Sequence, residues 1–382
     1  MRVGLIAYEF LPAFGGMQQL AEAIASQLGL RHDVAVFGRP TSTRSDGRYT
    51  HHAVLTGDLA FDALLLQSHQ VDVWMTTNAG AAPLAEYLSA PLLVYVNGND
   101  LLIPWIGRYR AWFNTVARLP AGWRILPWLR QEVWRRDIRR TLDRVATVAA
   151  NSRYTITRLR EFHAASGDRC VLIPPGVAEH FFQPSAPRTE PRTGLRLLSV
   201  TRLTTAARRK NIDGVLHAIA ALPPDTQVSY VIVGDGDDRG RLEQLARDLG
   251  IAGKTVFAGK VASEDLLRFY AEADLFVLAA EASSRDVEGF GIVYLEASAA
   301  GVPSLLSRTG GATDAVEDGV NGILVPDGSS WAIRAGLERF LAERALFPPE
   351  KVRAFAEPFR WRAIVTQLEE RLQAIAKTQT TG

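Results

Sequence analysis

The chain has 382 residues, 47% hydrophobic and 22% charged, which is enough apolar material for two or three domain cores and excludes a disordered or fibrous chain. A net charge of +2 argues against general nucleic-acid binding, and the single cysteine, Cys170, excludes an intramolecular disulfide. No apolar run reaches the ~18 residues of a membrane-spanning helix, and "MRVGLIAYEF" reads as a first strand, not a secretory leader, so a cytoplasmic location is expected.

Strand and helix signals alternate along the chain. "RVGLIAY" (2–8) is a strand candidate and "MQQLAEAIASQL" (17–28) a helix. "HDVAVFG" (32–38), "VDVWMTT" (71–77), "PLLVYVN" (91–97) and "VATVAAN" (145–151) are near-continuous apolar runs, as parallel strands covered on both faces require. Ser152 is a candidate N-cap for a helix over 153–163. "FFQPSAPRTEPRTG" (181–194) has the Pro, Ser, Thr and Gly content of an interdomain linker. A second series follows, with strands at 195–201, 228–234, 254–259, 274–280, 303–307 and 322–325. Helices are expected over 211–222, 238–250 and 263–273, from Ile292, and from Trp331. The fold class is therefore α/β, with two doubly wound Rossmann-like domains in series. Ligands of such sheets sit outside the carboxyl ends of the strands, so a central cleft faced by both domains is the expected site.

Between Pro104 and Arg144 stand ten arginines and three acids, a local charge of +7 that leaves −5 for the remainder. Five tryptophans lie among them, a pattern that suits contact with an anionic membrane surface. The competing reading packs the tryptophans on the sheet and leaves the arginines in water.

Four strand-to-helix junctions carry groups suited to a phosphorylated sugar. "EGFGIVYLEASAAGVP" (288–303) places Glu288 ahead of a helix, with Gly289, Phe290 and Gly291 at its mouth and Glu296 on it. Free amides and the macrodipole at a helix N-terminus stabilise anions. Glu296 offers acceptor oxygens for a hydroxyl pair. An acid favoured by the dipole and a second on a solvated face is the competing account. "SVTRLTTAARRKNIDG" (199–214) carries Arg202 just after a strand and Lys210 just before a helix, where both reach a ligand at the strand ends. Its bland alternative is an exposed basic loop. Gly15 and Gly16 open the first helix and allow close backbone approach. Asn97, Gly98 and Asp100 follow another strand, in an arrangement that suits sugar hydroxyls and equally an ordinary turn.

Other chemistries lack their residues. "VIVGDGDDRGRLEQL" (231–245) has a G-x-G-x-x-x-G spacing with Asp235, Asp237 and Asp238 that repel a pyrophosphate, so it reads as a structural turn and argues against a nicotinamide oxidoreductase. No His, Cys and acid cluster has metal-ligand spacing, and there is neither a Walker lysine loop nor a G-x-S-x-G elbow.

Taken together these runs resemble the retaining glycosyltransferases of the GT-B fold, glycosyltransferase family 4. The resemblance covers nearly the whole chain and is strongest from "LIPPGV" (172–177) to "NGILVPDG" (321–328). Its specific motif is E-x7-E, Glu288 to Glu296, followed by "ASAAGVP" and "TGGATDAVEDGVNG". The resemblance implies an acceptor-side domain over 1–185, a linker over 186–194 and a nucleotide-sugar domain over 195–355. Residues 356–382 form a helix crossing back to the first domain. It assigns Arg202 and Lys210 to the donor diphosphate, with Arg208 or Arg209 sharing Lys210's task because the Arg-to-Lys interval is long. It gives Glu288 and the amides of 289–291 to the donor sugar and Glu296 to the ribose hydroxyls. By the same resemblance Gly15 and Gly16 would lie near the phosphate and acceptor, and the base would rest on backbone around Lys260 and Val261. Asn97 stands where the family usually has His, which leaves a backbone carbonyl for that role, and Asp100 is on the acceptor side.

The implied reaction transfers a hexosyl unit from a UDP- or GDP-sugar to a carbohydrate or lipid-linked acceptor with retention, by front-face attack and with no metal or other cofactor. Bacterial cell-surface polysaccharide or glycolipid synthesis is the expected setting. The enzyme would then be peripheral on the inner face of the membrane through 104–144. The rivals are a catalytically inactive adaptor of the same fold that binds membrane or polyanion, and another GT-B enzyme such as a sugar-nucleotide epimerase or a phosphorylase.

Overall fold

A computed structural model describes residues 1–11, 16–43, 47–101, 136, 138–163, 169–183, 194–281 and 287–380. It divides into two compact units, Met1–Gly176 with Trp361–Gly382, and Val177–Arg360. The first changeover falls at 176/177, upstream of the expected boundary at 185. The reason is that Val177, Phe181 and Phe182 bury themselves in the second unit's core. Most of the expected linker lies outside the described residues.

The first unit contains β1 (Arg2–Ile6), α1 (Gly16–Leu28), β2 (Asp33–Gly38), β3 (Thr50–Ala53), α2 (Leu59–Gln67), β4 (Val73–Thr76), β5 (Leu92–Val96), β6 (Thr147–Ala150), α3 (Arg153–His163) and β7 (Cys170–Leu172). The strands form one parallel sheet in the order β3-β2-β1-β4-β5-β6-β7. Every residue of β4, β5 and β6 is buried, which is why their sequences are apolar without alternation. Ser152 caps α3 by accepting from Thr155 N at 3.1 Å.

The second unit contains β8 (Leu195–Val200), α4 (Ile212–Ala220), β9 (Val228–Val233), α5 (Arg239–Asp248), β10 (Thr255–Gly259), α6 (Ser263–Glu272), β11 (Leu275–Val277), α7 (Ile292–Ala299), β12 (Ser304–Ser307), β13 (Gly322–Val325), α8 (Ser330–Glu343) and α9 (Pro349–Ala356). Its sheet is also parallel, in the order β10-β9-β8-β11-β12-β13. The chain then returns to the first unit as α10 (Trp361–Thr380), which packs on α1. Glu369 on α10 receives Arg31 at 2.5 Å and His32 at 2.8 Å, just past the end of α1. Among the described residues no helix is long and apolar enough to cross a membrane.

In each sheet the winding reverses once, between β1 and β4 and between β8 and β11. Loops leaving neighbouring strands at such a reversal diverge to opposite faces and leave a crevice at the carboxyl edge. The loop after β8 carries Arg202 to Lys210, and the one after β11 carries Glu288.

Candidate active site

The second unit brings Arg209, Lys210 and Glu288 together at its reversal point. A short 3-10 helix, Thr205–Lys210, leads into α4 and delivers the two cations. Arg209 Nη1 donates to Glu288 Oε2 at 3.1 Å, and Lys210 Nζ donates to the same oxygen. The Glu288 side chain is 11% exposed and those of Arg209 and Lys210 17% each. Burial alone raises the pKa of Glu288, but Lys210 and Arg209 outweigh it and bring the value down to about 2. Glu288 is therefore an anion at physiological pH and not a proton donor.

Its backbone is fixed as well. Glu288 O accepts from Gly311 N at 2.8 Å, in the glycine pair after β12. Gly291 has φ +80° and opens α7, and a side chain there would collide with the Tyr294 ring. Tyr294 donates to Leu278 O at 2.6 Å, tying α7 to the end of β11. Phe290 is buried in the core, so it offers the site its amide alone. Gly289 is half-buried beside it.

Glu296 lies one helical turn further on, 6% exposed, and accepts from Tyr270 Oη at 3.0 Å. Burial raises its pKa to about 7, against the lowering effect of that hydrogen bond. Neither acid of the E-x7-E motif faces bulk solvent. The folded pKa of Glu296 is above the ordinary 4.5, so folding favours the protonated form and stability declines as pH rises from about 4.5 to about 7. Hydroxyls that donate to Glu296 favour its charged form. If Glu296 holds ribose hydroxyls, nucleotide affinity should strengthen as pH rises through about 7, and Glu296→Gln should flatten that profile. Calorimetric titration with GDP and UDP from pH 5.5 to 8.5 checks both, and an unchanged profile in the variant removes Glu296 from the ribose site.

The remaining predicted residues fall as follows. Arg202 stands exposed beyond β8, whereas the cations on Glu288 are Arg209 and Lys210. Arg208 does not share Lys210's position. Its guanidinium turns to Asp238, at 2.6 Å, so of the two neighbours the sequence offered, Arg209 joins the lysine. Asp238 also takes Arg241 and is held down to about 2 by Arg241, against burial, and by Arg208. The glycine turn at 234–238 is a brace. Leu203 N donates to Asp235 O at 3.0 Å and Thr205 N to Asp237 Oδ1 at 2.9 Å, which fixes the start of the cationic loop. Val261 is half-buried after β10 and packs on the core.

In the first unit Gly16 opens α1, and Gly15 lies outside the described residues. Asn97 is half-buried and donates from Nδ2 to Thr77 O at 2.9 Å. Asp100 departs from expectation. It is 4% exposed, and its two oxygens accept from Asn97 N and Ala79 N, each at 3.0 Å. A carboxylate so committed to backbone amides shapes the turns after β4 and β5 and is not presented to sugar hydroxyls. Burial raises its pKa to about 6 despite both amides. Of the basic stretch 104–144, residues 136 and 138–144 are described, and Arg144 pairs with Glu86 at 2.7 Å. Among the described residues no group of three or more His, Cys, Asp or Glu has the geometry to hold a metal ion. Sequence patterns gave no signal for Tyr270, because a lone Tyr in a helix is an ordinary residue.

Residues 185–357 match the family model described as glycosyl transferases group 1. A GDP-mannose-dependent alpha-(1-6)-phosphatidylinositol monomannoside mannosyltransferase of Mycolicibacterium smegmatis is 31% identical over 365 residues, 89% of each chain. Two solved structures share the fold. Anabaena Alr3699/HepE in complex with UDP has a TM-score of 0.76 and 20% identity, covering 98% of this chain and 100% of that one. Sucrose-phosphate synthase from Thermosynechococcus elongatus has 0.78 and 19%, covering 99% of both.

Proposed function

The chain belongs to the group 1 glycosyltransferases of the GT-B fold, family 4, and is a nucleotide-sugar-dependent hexosyltransferase; from that premise we propose a retaining transfer from a GDP- or UDP-hexose to a lipid-linked or free saccharide acceptor. The observation that carries the proposal is the pairing of Arg209 and Lys210 on one oxygen of Glu288 at the reversal point of the second sheet. As the bond from the sugar to the diphosphate breaks, negative charge grows on the leaving oxygens. Two fixed cations and the amides at the mouth of α7 stabilise that charge more than the charge of the bound donor, which is what lowers the barrier. Glu288 remains ionised. It orients the hydroxyls of the hexose and favours the positive charge that develops on its ring. Its Oε2 is already engaged by both cations, which favours attack by the acceptor on the face the leaving group departs from over attack by the carboxylate. GDP-mannose is the first donor to test, given the mannosyltransferase of M. smegmatis. Contact with an anionic membrane surface through 104–144 belongs to the same proposal.

The test incubates the protein with GDP-mannose or UDP-glucose and a lipid-linked mannoside, with and without EDTA. Free nucleoside diphosphate should be released with product of the donor's own anomeric configuration, as read by proton NMR, and EDTA should leave the rate unchanged. Inversion, or loss of turnover on chelation, overturns the respective part of the proposal. No stabilisation by either nucleoside diphosphate in a thermal-shift assay overturns the donor site itself, since a ligand at 100 times its dissociation constant adds ~2.7 kcal/mol.

A further inference from the structure

We infer that Asn211 is a positioning residue for the donor: its left-handed backbone, locked by its own side chain, turns the Thr205–Lys210 helix off the axis of α4 and sets Lys210 and Arg209 on Glu288. The inference rests on the reading of those two cations as the diphosphate's partners.

Among the described residues Asn211 is the one non-glycine position with positive φ, at φ 60° and ψ 43°. Side chains other than those of Asn and Asp seldom take up that region. With right-handed dihedrals at 211 the 3-10 helix and α4 would run on as one helix, and Lys210 would lie one residue up its axis. The end of the 3-10 helix is held by two hydrogen bonds: Asn211 N donates to Arg208 O at 2.8 Å, and Glu281 N donates to Arg209 O at 2.7 Å.

Asn211 is 6% exposed, and its side chain uses each of its hydrogen-bonding groups. Oδ1 accepts from Gly214 N at 3.0 Å, which caps α4. Nδ2 donates to Ala279 O at 2.9 Å and to Gly328 O at 2.7 Å. Those carbonyls lie just past β11 and β13, so one amide joins three loops at the carboxyl edge of the sheet. The fit is close. A Cβ added at Gly214 would stand 2.6 Å from the Asn211 amide, and one at Gly328 would stand 2.8 Å from Nδ2. Capping alone does not explain the residue. Ser or Asp caps a helix as well, but neither supplies two N–H groups to those carbonyls. Asparagine here couples the loop that carries the cations to the strand whose loop carries Glu288.

Calorimetric titration with GDP and UDP, on wild type, Asn211→Ala, Lys210→Ala and the double variant, tests this. The melting temperature of each protein is read alongside. Asn211→Ala should weaken binding of the preferred nucleotide roughly tenfold, and much less once Lys210 is gone, because coupled positions are not additive. Asn211→Gly, which takes the same backbone without strain, should lose less than Asn211→Ala, and Asn211→Asp, which keeps the cap but sets a carboxylate against two carbonyls, should lose as much. Wild-type affinity in a less stable Asn211→Ala protein, or losses that multiply fully in the double variant, overturns the inference and leaves a helix cap. If Asn211→Ala does not fold, the glycine and aspartate variants decide in the same way. Unchanged affinity in Lys210→Ala fails the reading of the cations themselves, a different result from failure at Asn211 alone.

Discussion

Lys210→Ala is expected to lower turnover about a hundred- to a thousandfold, the usual consequence of removing one preorganised donor from a developing anion. The loss should appear mainly in kcat, with a smaller effect on nucleotide affinity, because the leaving diphosphate carries more charge in the transition state than in the bound donor. Arg209→Ala should act in the same direction. The double variant should fall short of the product of the two losses, since both cations meet one carboxylate oxygen. Steady-state kinetics with saturating acceptor decide the matter. A lysine variant that changes KM alone shows a cation that binds ground state and transition state equally, and the mechanism would need another source of stabilisation. Lys210→Arg should not restore full activity, because a planar fork does not occupy the place of a compact ammonium group.

Glu288→Gln is expected to separate binding from chemistry. It keeps the size of the side chain and removes the charge that Lys210 and Arg209 face. A diphosphate approaching these cations competes with the native carboxylate, so the variant should bind GDP or UDP more tightly. Transfer should nevertheless fall by about a hundredfold or more if, as proposed, this anion orients the hexose and balances its ring charge. Tighter nucleotide binding with full activity would exclude Glu288 from the reaction, and weaker binding would exclude the competition. Stability gives an independent readout. The folded pKa of about 2 lies below the ordinary 4.5, so the ion pairs stabilise the fold above pH 4.5 and lose that effect as pH falls towards 2. The gap in melting temperature between wild type and Glu288→Gln should therefore narrow over that acid range.

The two parallel sheets were legible in the sequence because strands buried on both faces, such as "LLVYV", are written in apolar letters without alternation. The edge strands were not. β3 reads "THHA" and β7 is three residues long, and each has partly exposed side chains that leave no such run. α2, "LAFDALLLQ", escaped detection for the opposite reason, since it is apolar all round and leaves Phe61 and Leu64 exposed where a periodic pattern would put polar residues. At the site, the spacing from Glu288 to Glu296 located both acids. It did not reveal how they differ, one held near 2 by two cations and the other raised to about 7 by burial beside Tyr270. That difference depends on partners 78 and 26 residues away along the chain, which no local pattern encodes. The choice between Arg208 and Arg209 likewise depended on where Asp238 lies.

The second unit interrupts the first, since Met1–Gly176 is completed by Trp361–Gly382. A ribosome making this chain releases Val177–Arg360 before the stretch that Arg31 and His32 grip through Glu369. Val177–Arg360 can therefore be complete while the first unit still lacks α10, the helix that packs on α1. Vectorial synthesis thus finishes first the half that begins second.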